Sequence, residues 1–149
     1  MQAFYNILDK IKTLLIADDF VNTVTKGQQT DIDNLKQTMY PVSHIHLNDV
    51  TLEGSTWRFN ITTYHLDIVD ISKDTTTDEF IGNDNEDDIM NTQLAVFARL
   101  HALLKKGEDN DYLLDGDPTC IPVSSILDNG LSGWECTFDV LMANDMTKC

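Results

Sequence analysis

The sequence predicts a single α+β domain, in which an antiparallel β-sheet carries two main α-helices packed on it. Two stretches repeat apolar residues at helical spacing, and several others alternate apolar and polar residues as strands do. The order of helix, strand, hairpin, helix and hairpin contains no βαβ unit. With 149 residues, 42% of them hydrophobic, the chain is long enough for one domain over 1–149 to bury a core.

The first predicted element is a helix over 2–17. Apolar side chains recur from Phe4 to Leu15 at spacings of four, three and four residues, which gives the helix one buried face. Asp18 and Asp19 follow, and negative charge opposes the helix dipole at this end. The helix is therefore expected to stop there.

Three strands are predicted next, over 20–25, 42–52 and 56–70. The last two form a hairpin with two possible registers. A three-residue loop at 53–55 places Leu47 opposite Ile61 and gathers the apolar residues on one face, whereas a two-residue loop mixes histidines with aromatic residues. We therefore expect the three-residue loop, which leaves a polar second face made of His44, His46, Asn48, Arg58, Asn60, Thr62 and Tyr64.

The second strand of this hairpin is longer than a small domain needs. Fifteen residues span about 50 Å at roughly 3.3 Å per residue. Beyond Thr63 the apolar residues change face, which predicts either a bulge near 62–65 or a strand whose second face is used elsewhere. The extra length of this strand favours a contact between molecules through Tyr64, Leu66 and Ile68.

A second helix is predicted over 85–106. Asn83 or Asp84 can cap its N-terminus, and Gly107 can end it in the left-handed conformation. Acidic residues occupy its first turn and lysines its last turn, as the helix dipole favours. Its apolar residues cover half of the circumference. The other half carries small residues against which the first helix or a neighbouring subunit can pack, namely Ala95, Ala98 and Ala102.

The remainder predicts a polar loop over 108–122 and a hairpin that turns at 128–130, where Asn and Gly accept positive φ. The final strand alternates apolar and polar residues from Trp134 to Met142, as a half-buried strand does. Pro122 lacks an N–H donor, which confines the strand before the turn to an edge or an end of the sheet.

Charge gives the clearest indication about partners, because the chain carries a net charge of −15. The run from Asp74 to Asp88 holds seven acidic residues and no base, and an acidic loop is expected over 71–84. Affinity for nucleic acid comes largely from Lys and Arg displacing counterions, so this surface repels phosphate backbones or meets a basic partner. The end of the run serves as the cap of the second helix. Three acids have no such local role: Asp74, Asp78 and Glu79.

We predict no catalytic site, no metal site and no cofactor, and we do not expect an enzyme. His44 and His46 share one strand face, but His65, the third ligand a metal would need, falls on the other face. The loop over 108–117 lacks the spacing of an EF-hand. The three cysteines are too few and too scattered for a disulfide framework and indicate reduced thiols. We see no membrane span and no signal peptide, and therefore expect assembly in a cytoplasm.

Several stretches together resemble small virion proteins of tailed bacteriophages, in the tail-terminator or neck class. They are Lys36–Ile45, Asn48–Leu52, Trp57–Asn60, Asp67–Asp70, the acidic linker into a long helix, and Gly133-Trp134 opening the last strand. The resemblance spans nearly the whole chain and consists of short structural motifs, none of which is a catalytic signature.

The resemblance implies a subunit of a ring, commonly six-fold, that caps the tail tube or joins it to the head at the head–tail junction. It implies neighbouring connector, portal-proximal or tail-tube proteins as partners, no membrane, and DNA that passes through the lumen without specific binding. Asp74, Asp78 and Glu79 are then expected to line the lumen or to face a basic neighbouring ring. The alternative is a monomeric acidic binding module, such as an immunity protein or an inhibitor that mimics nucleic acid.

Overall fold

The computed structural model describes residues 3–28, 40–69, 85–108, 112–124 and 130–143. These residues form one α+β domain with two helices and five strands. In chain order the elements are α1 (Ala3–Ile16), β1 (Thr23–Lys26), β2 (Val42–Glu53), β3 (Thr56–Ile68), α2 (Glu86–Lys106), β4 (Tyr112–Ser124) and β5 (Leu131–Ala143).

The strands form a single mixed sheet in the order β1-β2-β3-β5-β4. The pairs β2–β3, β3–β5 and β5–β4 are antiparallel, as predicted, but β1 pairs with β2 in parallel, from Thr23 beside Val42 to Lys26 beside Ile45. The expectation of a purely antiparallel sheet was therefore wrong. A parallel pair needs a connection of about a dozen residues or more, and the chain between Lys26 and Val42 is long enough to return to the same end of the sheet.

The β2–β3 hairpin combines both registers that the sequence offered. Leu47 pairs with Ile61, as predicted, but Glu53 pairs with Thr56, so the turn has two residues and not three. A bulge between Leu47 and Asp49 absorbs the difference of one residue. The bulge lies on β2, whereas one had been considered for β3 near 62–65.

Both helices pack on the same face of the sheet, which we call the helix-covered face. Its core contains Ile7 and Ile11 of α1, Phe97 and Leu104 of α2, and strand residues such as Ile61. Acidic residues fill the first turn of α2 and lysines its last, as predicted. Asn85 is the N-cap residue but makes no side-chain capping bond, and Asn83 and Asp84 lie outside the described residues.

Gly107 ends α2 without the predicted left-handed conformation, because its φ is −85°. A Cβ at this position would lie 2.6 Å from the hydroxyl of Tyr112, which donates a hydrogen bond to the carbonyl of Leu104. Close packing of β4 against the helix end, and not a positive φ, therefore explains this glycine.

The predicted loop over 108–122 is largely a strand, since β4 begins at Tyr112. The aspartates, glycine and prolines that suggested a loop cause a register shift between Asp115 and Thr119 and do not end the strand. Pro122 lies in β4 at the edge of the sheet, as expected. The predicted turn residues Asp128 and Asn129 lie outside the described residues, while Gly130 has the expected positive φ of 65°.

The far end of β3 is buried on both faces. Thr63 and His65 point to the helix-covered face, whereas Tyr64 and Leu66 join a second apolar cluster on the opposite face with Val42, Val123 and Leu131. The strand therefore uses its second face within the subunit. This accounts for the change of apolar face after Thr63, which was one of the two alternatives predicted from the sequence.

Candidate functional site

The face of the sheet away from the helices, which we call the open face, carries the predicted polar side chains in a hydrogen-bonded network. The Asn48 amide donates to Asn60 Oδ1 at 2.8 Å and to Thr62 Oγ1 at 2.6 Å. Asn60 in turn donates to Asp139 at 2.7 Å. The network ties β2, β3 and β5 together, so the polar side chains of this face stabilise the sheet as well as covering it.

Arg58 lies at the centre of the open face and binds three carboxylates from three other strands. Its Nε donates to Glu53 of β2 at 2.8 Å, and one terminal nitrogen contacts both Asp115 of β4 and Asp139 of β5, the latter at 3.2 Å. Bonds to Glu53 and then Asp115 raise the pKa of Arg58. One positive charge against three negative charges leaves this cluster negative, so it does not attract a phosphate backbone.

Three of the four ring nitrogens of His44 and His46 bond groups of the protein. Both rings bond the carbonyl of Gly27, through His44 Nε2 at 3.0 Å and His46 Nδ1 at 2.9 Å. A carbonyl oxygen only accepts, so both nitrogens carry hydrogen. His44 Nδ1 then accepts from the hydroxyl of Thr25 at 2.7 Å. Within the described part of the chain no group of three potential metal ligands occurs.

His65 has a strongly perturbed pKa, but it lies inside the core. Its ring nitrogens bond the hydroxyls of Ser43 at 3.1 Å and Thr63 at 2.8 Å, and all three side chains are fully buried. Burial lowers the pKa of His65 to about 3, so the ring is neutral near pH 7. No substrate can reach the buried hydroxyl of Ser43. Its hydrogen bond with His65 is therefore structural, and Ser43 is not a nucleophile.

Tyr64, Leu66 and Ile68, predicted as contacts between molecules, lie on or beside the second apolar cluster. Tyr64 is 5% exposed and Leu66 fully buried, while Ile68 is partly exposed. Burial and the neighbouring Glu135 raise the pKa of Tyr64 to about 12, and its hydroxyl donates to Glu135 at 3.4 Å. An intermolecular contact stays a prediction here, with Ile68 as the residue that offers partly free surface.

The other predicted contact residues differ in how far the structure describes them. Ala98 and Ala102 are exposed on α2 and Ala95 is partly exposed, so the small-residue face has surface available to a neighbour. Asp74, Asp78 and Glu79 lie outside the described residues. Their position relative to a lumen or a partner stays a prediction.

Arg99 anchors the chain after α1 to the side of α2. Its guanidinium makes two bonds with the Asp18 carboxylate, at 2.7 and 2.9 Å, and lies 5.4 Å from the ring centre of Phe20. Burial alone would raise the pKa of Asp18, but the bonds from Arg99 and from the Phe20 N–H outweigh it and lower the pKa. The pair joins residues that are 81 positions apart in the chain.

A groove that the sequence had not indicated runs between α1 and β1. Leu8, Val24 and Ile45 form its apolar floor, and Lys12 and Lys26 stand exposed at its rim together with Asp9. Neither lysine makes an ion pair with any described residue. The volume is about 270 Å³, below the roughly 300–1,000 Å³ of sites for small molecules. The sequence could not show this groove because it forms only when β1 lies parallel to β2.

The end of the β2–β3 hairpin, which we call the arm (residues 48–57), exposes apolar side chains. Val50 is 40% and Leu52 50% exposed, and Trp57, which is paired with Leu52, is half-buried beside them. The Trp57 indole N–H is enclosed and has no acceptor among the residues that the structure describes. Exposed apolar residues next to a tryptophan are typical of contact surfaces between proteins.

Comparisons with known proteins give no homologue from which a function can be transferred. No protein-family model matches the chain, and no curated protein matches it in sequence. Among the helices of the described residues, none is long and apolar enough to cross a membrane.

Proposed function

We propose that this chain is a structural virion protein of a tailed bacteriophage. In this proposal it forms a ring at the head–tail junction or at the top of the tail, as a tail terminator, neck or connector ring, and DNA passes through the ring. The resemblance of the sequence to that class motivates the proposal. Six-fold symmetry is what the class implies.

The observation that carries the proposal is the spread of large exposed apolar side chains over three separate surfaces. A ring subunit contacts a neighbour on each side and a further protein above or below, so it needs several contact surfaces at once. The residues are Phe4, Tyr5, Ile16, Phe20, Leu94 and Leu103 on and beside the helices, Val50 and Leu52 on the arm, and Leu113 and Ile121 on β4.

The charge distribution supports passage of DNA without binding. On the open face the described cluster around Arg58 holds three carboxylates for one base. A surface of this sign repels a duplex and lets it slide past. Nothing in the described residues presents a row of basic side chains that would hold a phosphate backbone on this face.

The net charge of −15 also favours the second candidate, a monomeric acidic module that binds a basic partner. The two candidates differ in where the protein is found and in its mass. Such a module would act as one copy on one partner, and it would not need apolar contact surfaces on three sides.

Immuno-electron microscopy of particles from cells that produce the protein tests the proposal directly. Antibodies against the chain should label one end of the tail, at the head–tail junction. Native mass spectrometry of the purified protein gives the number of copies in a ring. Protein found only free in the cytoplasm, with unlabelled virions, would overturn the proposal and leave the acidic module.

A further inference from the structure

We propose that Cys120 and Cys136 form a site of reversible thiol oxidation, at which a small disulfide such as oxidised glutathione converts the two thiols into one cross-strand disulfide. The sequence indicated reduced thiols, since the three cysteines are scattered along the chain. The fold brings two of them together on the neighbouring strands β4 and β5. The inference is independent of the proposed virion role, because it depends only on the contact between these two strands.

The strand pairing holds the two cysteines at the separation that a disulfide needs. Cys120 lies directly opposite Cys136 in the antiparallel ladder, and the pairing continues without a shift from Thr119 to Ser124. Directly opposite residues of such a ladder have Cα atoms about 4.5 or 5.5 Å apart, depending on whether they share hydrogen bonds. A disulfide needs roughly 4.4–6.8 Å. Both separations lie within this range, so the bond can form without movement of the backbone.

The two side chains also lie on one face of the sheet. Directly opposite residues of neighbouring strands point to the same side. Cys136 is fully buried in the helix-covered core, and Cys120 packs against the same apolar cluster from the outermost strand. Burial, and then a hydrogen bond with the Cys120 thiol, raise the pKa of Cys136. The two sulfur atoms are therefore neighbours in the reduced protein.

Exposure decides which thiol meets the oxidant. Cys120 is partly exposed, whereas Cys136 has no exposed surface. Thiol exchange needs a thiolate that the oxidant can reach, and the raised pKa keeps Cys136 protonated near pH 7. Cys120 is therefore the thiol that attacks the oxidant, and Cys136 is the thiol that resolves the product.

Two exchange steps complete the reaction. Cys120 Sγ loses its proton to solvent and attacks one sulfur of oxidised glutathione, whose S–S bond breaks and releases one glutathione thiolate, which takes up a proton. Cys136 Sγ then attacks Cys120 Sγ in this mixed disulfide, and its proton goes to the second glutathione thiolate as that leaves. Two electrons pass from the cysteine sulfurs to the oxidant. The products are one protein disulfide and two molecules of reduced glutathione, which in excess reverse both steps.

The bond fastens the outermost strand of the sheet to its neighbour. β4 contains two prolines and a register shift between Asp115 and Thr119, so part of its ladder with β5 is interrupted. A disulfide between Cys120 and Cys136 closes the hairpin and restricts the unfolded chain, which stabilises the folded state. Because thiols stay reduced in a cytoplasm and oxidise outside it, the edge of the sheet is strengthened once the protein leaves a reducing cell.

The C149A protein tests the site, because Cys120 and Cys136 are then its only thiols. Reduced protein is incubated with oxidised glutathione near pH 8, quenched with acid, alkylated and weighed by mass spectrometry. We expect loss of both thiols and a mass that is lower than that of the reduced protein by two hydrogen atoms. No Lys or Arg lies between the two cysteines, so peptide mapping needs a protease that cleaves at acidic residues such as Asp128. The map should show Cys120 joined to Cys136.

Two matched variants separate the roles of the thiols. C136A/C149A keeps the partly exposed Cys120 and should stop at the mixed disulfide with one glutathione. C120A/C149A keeps only the buried Cys136 and should react at least about tenfold more slowly. Equal rates in the two variants would overturn the assignment of Cys120 as the attacking thiol. Circular dichroism of both variants checks that they are folded.

Thermal unfolding measures whether the folded ladder accommodates the bond. Oxidised C149A protein should unfold roughly 5–10 °C above the reduced form, as closing a loop of this size predicts. Treatment of C120A/C149A with the same oxidant is the control and should leave its midpoint unchanged.

Three results would overturn the inference. They are C149A protein that keeps both thiols while the same protein unfolded in urea loses them, C149A protein that stops at the mixed disulfide, and an oxidised form that unfolds at a lower temperature than the reduced form. None of these results bears on the labelling of virions, which remains the separate test of the proposed function.

Discussion

Substitution of Gly133 in strand β5 by alanine should destabilise the domain far more than the same change at a glycine of the described turns. Gly133 lies in β5 opposite Leu66 of β3, with a φ of 154°. A Cβ built there would stand 1.9 Å from the carbonyl oxygen of His65. Both the backbone conformation and the distance between the two strands therefore require glycine.

The expected cost follows from these two requirements. Ordinary contact begins near 3.4 Å, so the strands must separate locally by 3.4 − 1.9, or about 1.5 Å. That movement breaks about three backbone hydrogen bonds of the ladder, each contributing about 1 kcal/mol. The φ strain adds about 1–3 kcal/mol. We expect the free energy of unfolding to fall by about 4–6 kcal/mol, most of the stability of a small domain.

Gly54→Ala is the matched control, because Gly54 has a positive φ of 63° but nothing lies within 4 Å of its added Cβ. It should cost about 1–2 kcal/mol, from the backbone conformation alone. Urea unfolding followed by the fluorescence of Trp57 and Trp134 measures both. A Gly133→Ala protein that unfolds at the same urea concentration as Gly54→Ala would refute the close approach of β3 and β5 at this point.

Three further predictions concern titratable and charged groups. The pKa of His65 is about 3 in the folded state and 6.5 in the unfolded state, so only the unfolded state takes up a proton between these two pH values. The free energy of unfolding should therefore fall by about 1.4 kcal/mol per pH unit as the pH drops from 6.5 towards 3. His65→Gln should remove this part of the slope in urea unfolding at a series of pH values, with His46→Gln on the open face as control; equal slopes in all three proteins would contradict it. Arg99→Met should lower the free energy of unfolding at pH 7 by about 1 kcal/mol, since it removes a bidentate ion pair with Asp18. The difference in stability from the natural sequence should vanish as the pH falls below 3.8, because the pKa of Asp18 is lowered in the folded state and its carboxylate is protonated there. A difference in stability that persists at pH 2 would assign the effect to lost packing on Phe20. Arg58→Met should lower the thermal unfolding midpoint because three carboxylates then face each other, and 1 M NaCl should reduce the deficit by screening; a deficit independent of salt would show that repulsion is not its cause.

The helices and the central strands could be predicted because local patterns determine them. The bounds predicted for the second helix differ from Glu86–Lys106 by a single residue, since apolar spacing and end charges agree over many residues. The pairing of Leu47 with Ile61 was also predicted, because only that register collects the apolar residues on one face. The polar face around Arg58 followed from the same alternation.

Features that depend on contacts distant in sequence could not be predicted. The direction of β1 is seen only in its pairing with β2, from Thr23 beside Val42 onwards, and no local pattern in β1 indicates it. Most of β4, up to Pro122, was predicted as a loop, because its prolines and aspartates are loop formers and only the ladder with β5 holds them extended. The groove between α1 and β1 depends on the placement of β1, so only the fold shows it.

The net charge bears on how copies of this chain could assemble at all. Fifteen excess negative charges repel a second copy over distances beyond contact, and this repulsion falls as salt shortens the Debye length to about 8 Å at physiological strength. The described lysines lie on α1, on β1 and at the end of α2, while Arg58 on the open face is already neutralised by its three carboxylates. A second copy is therefore repelled at the open face. Association between copies should consequently strengthen as NaCl rises from about 10 to 150 mM, because long-range repulsion is screened more than partly buried contacts are. Sedimentation equilibrium across this range checks it, and association that weakens steadily with salt would mean that attraction between opposite charges, and not burial of apolar surface, dominates the contact.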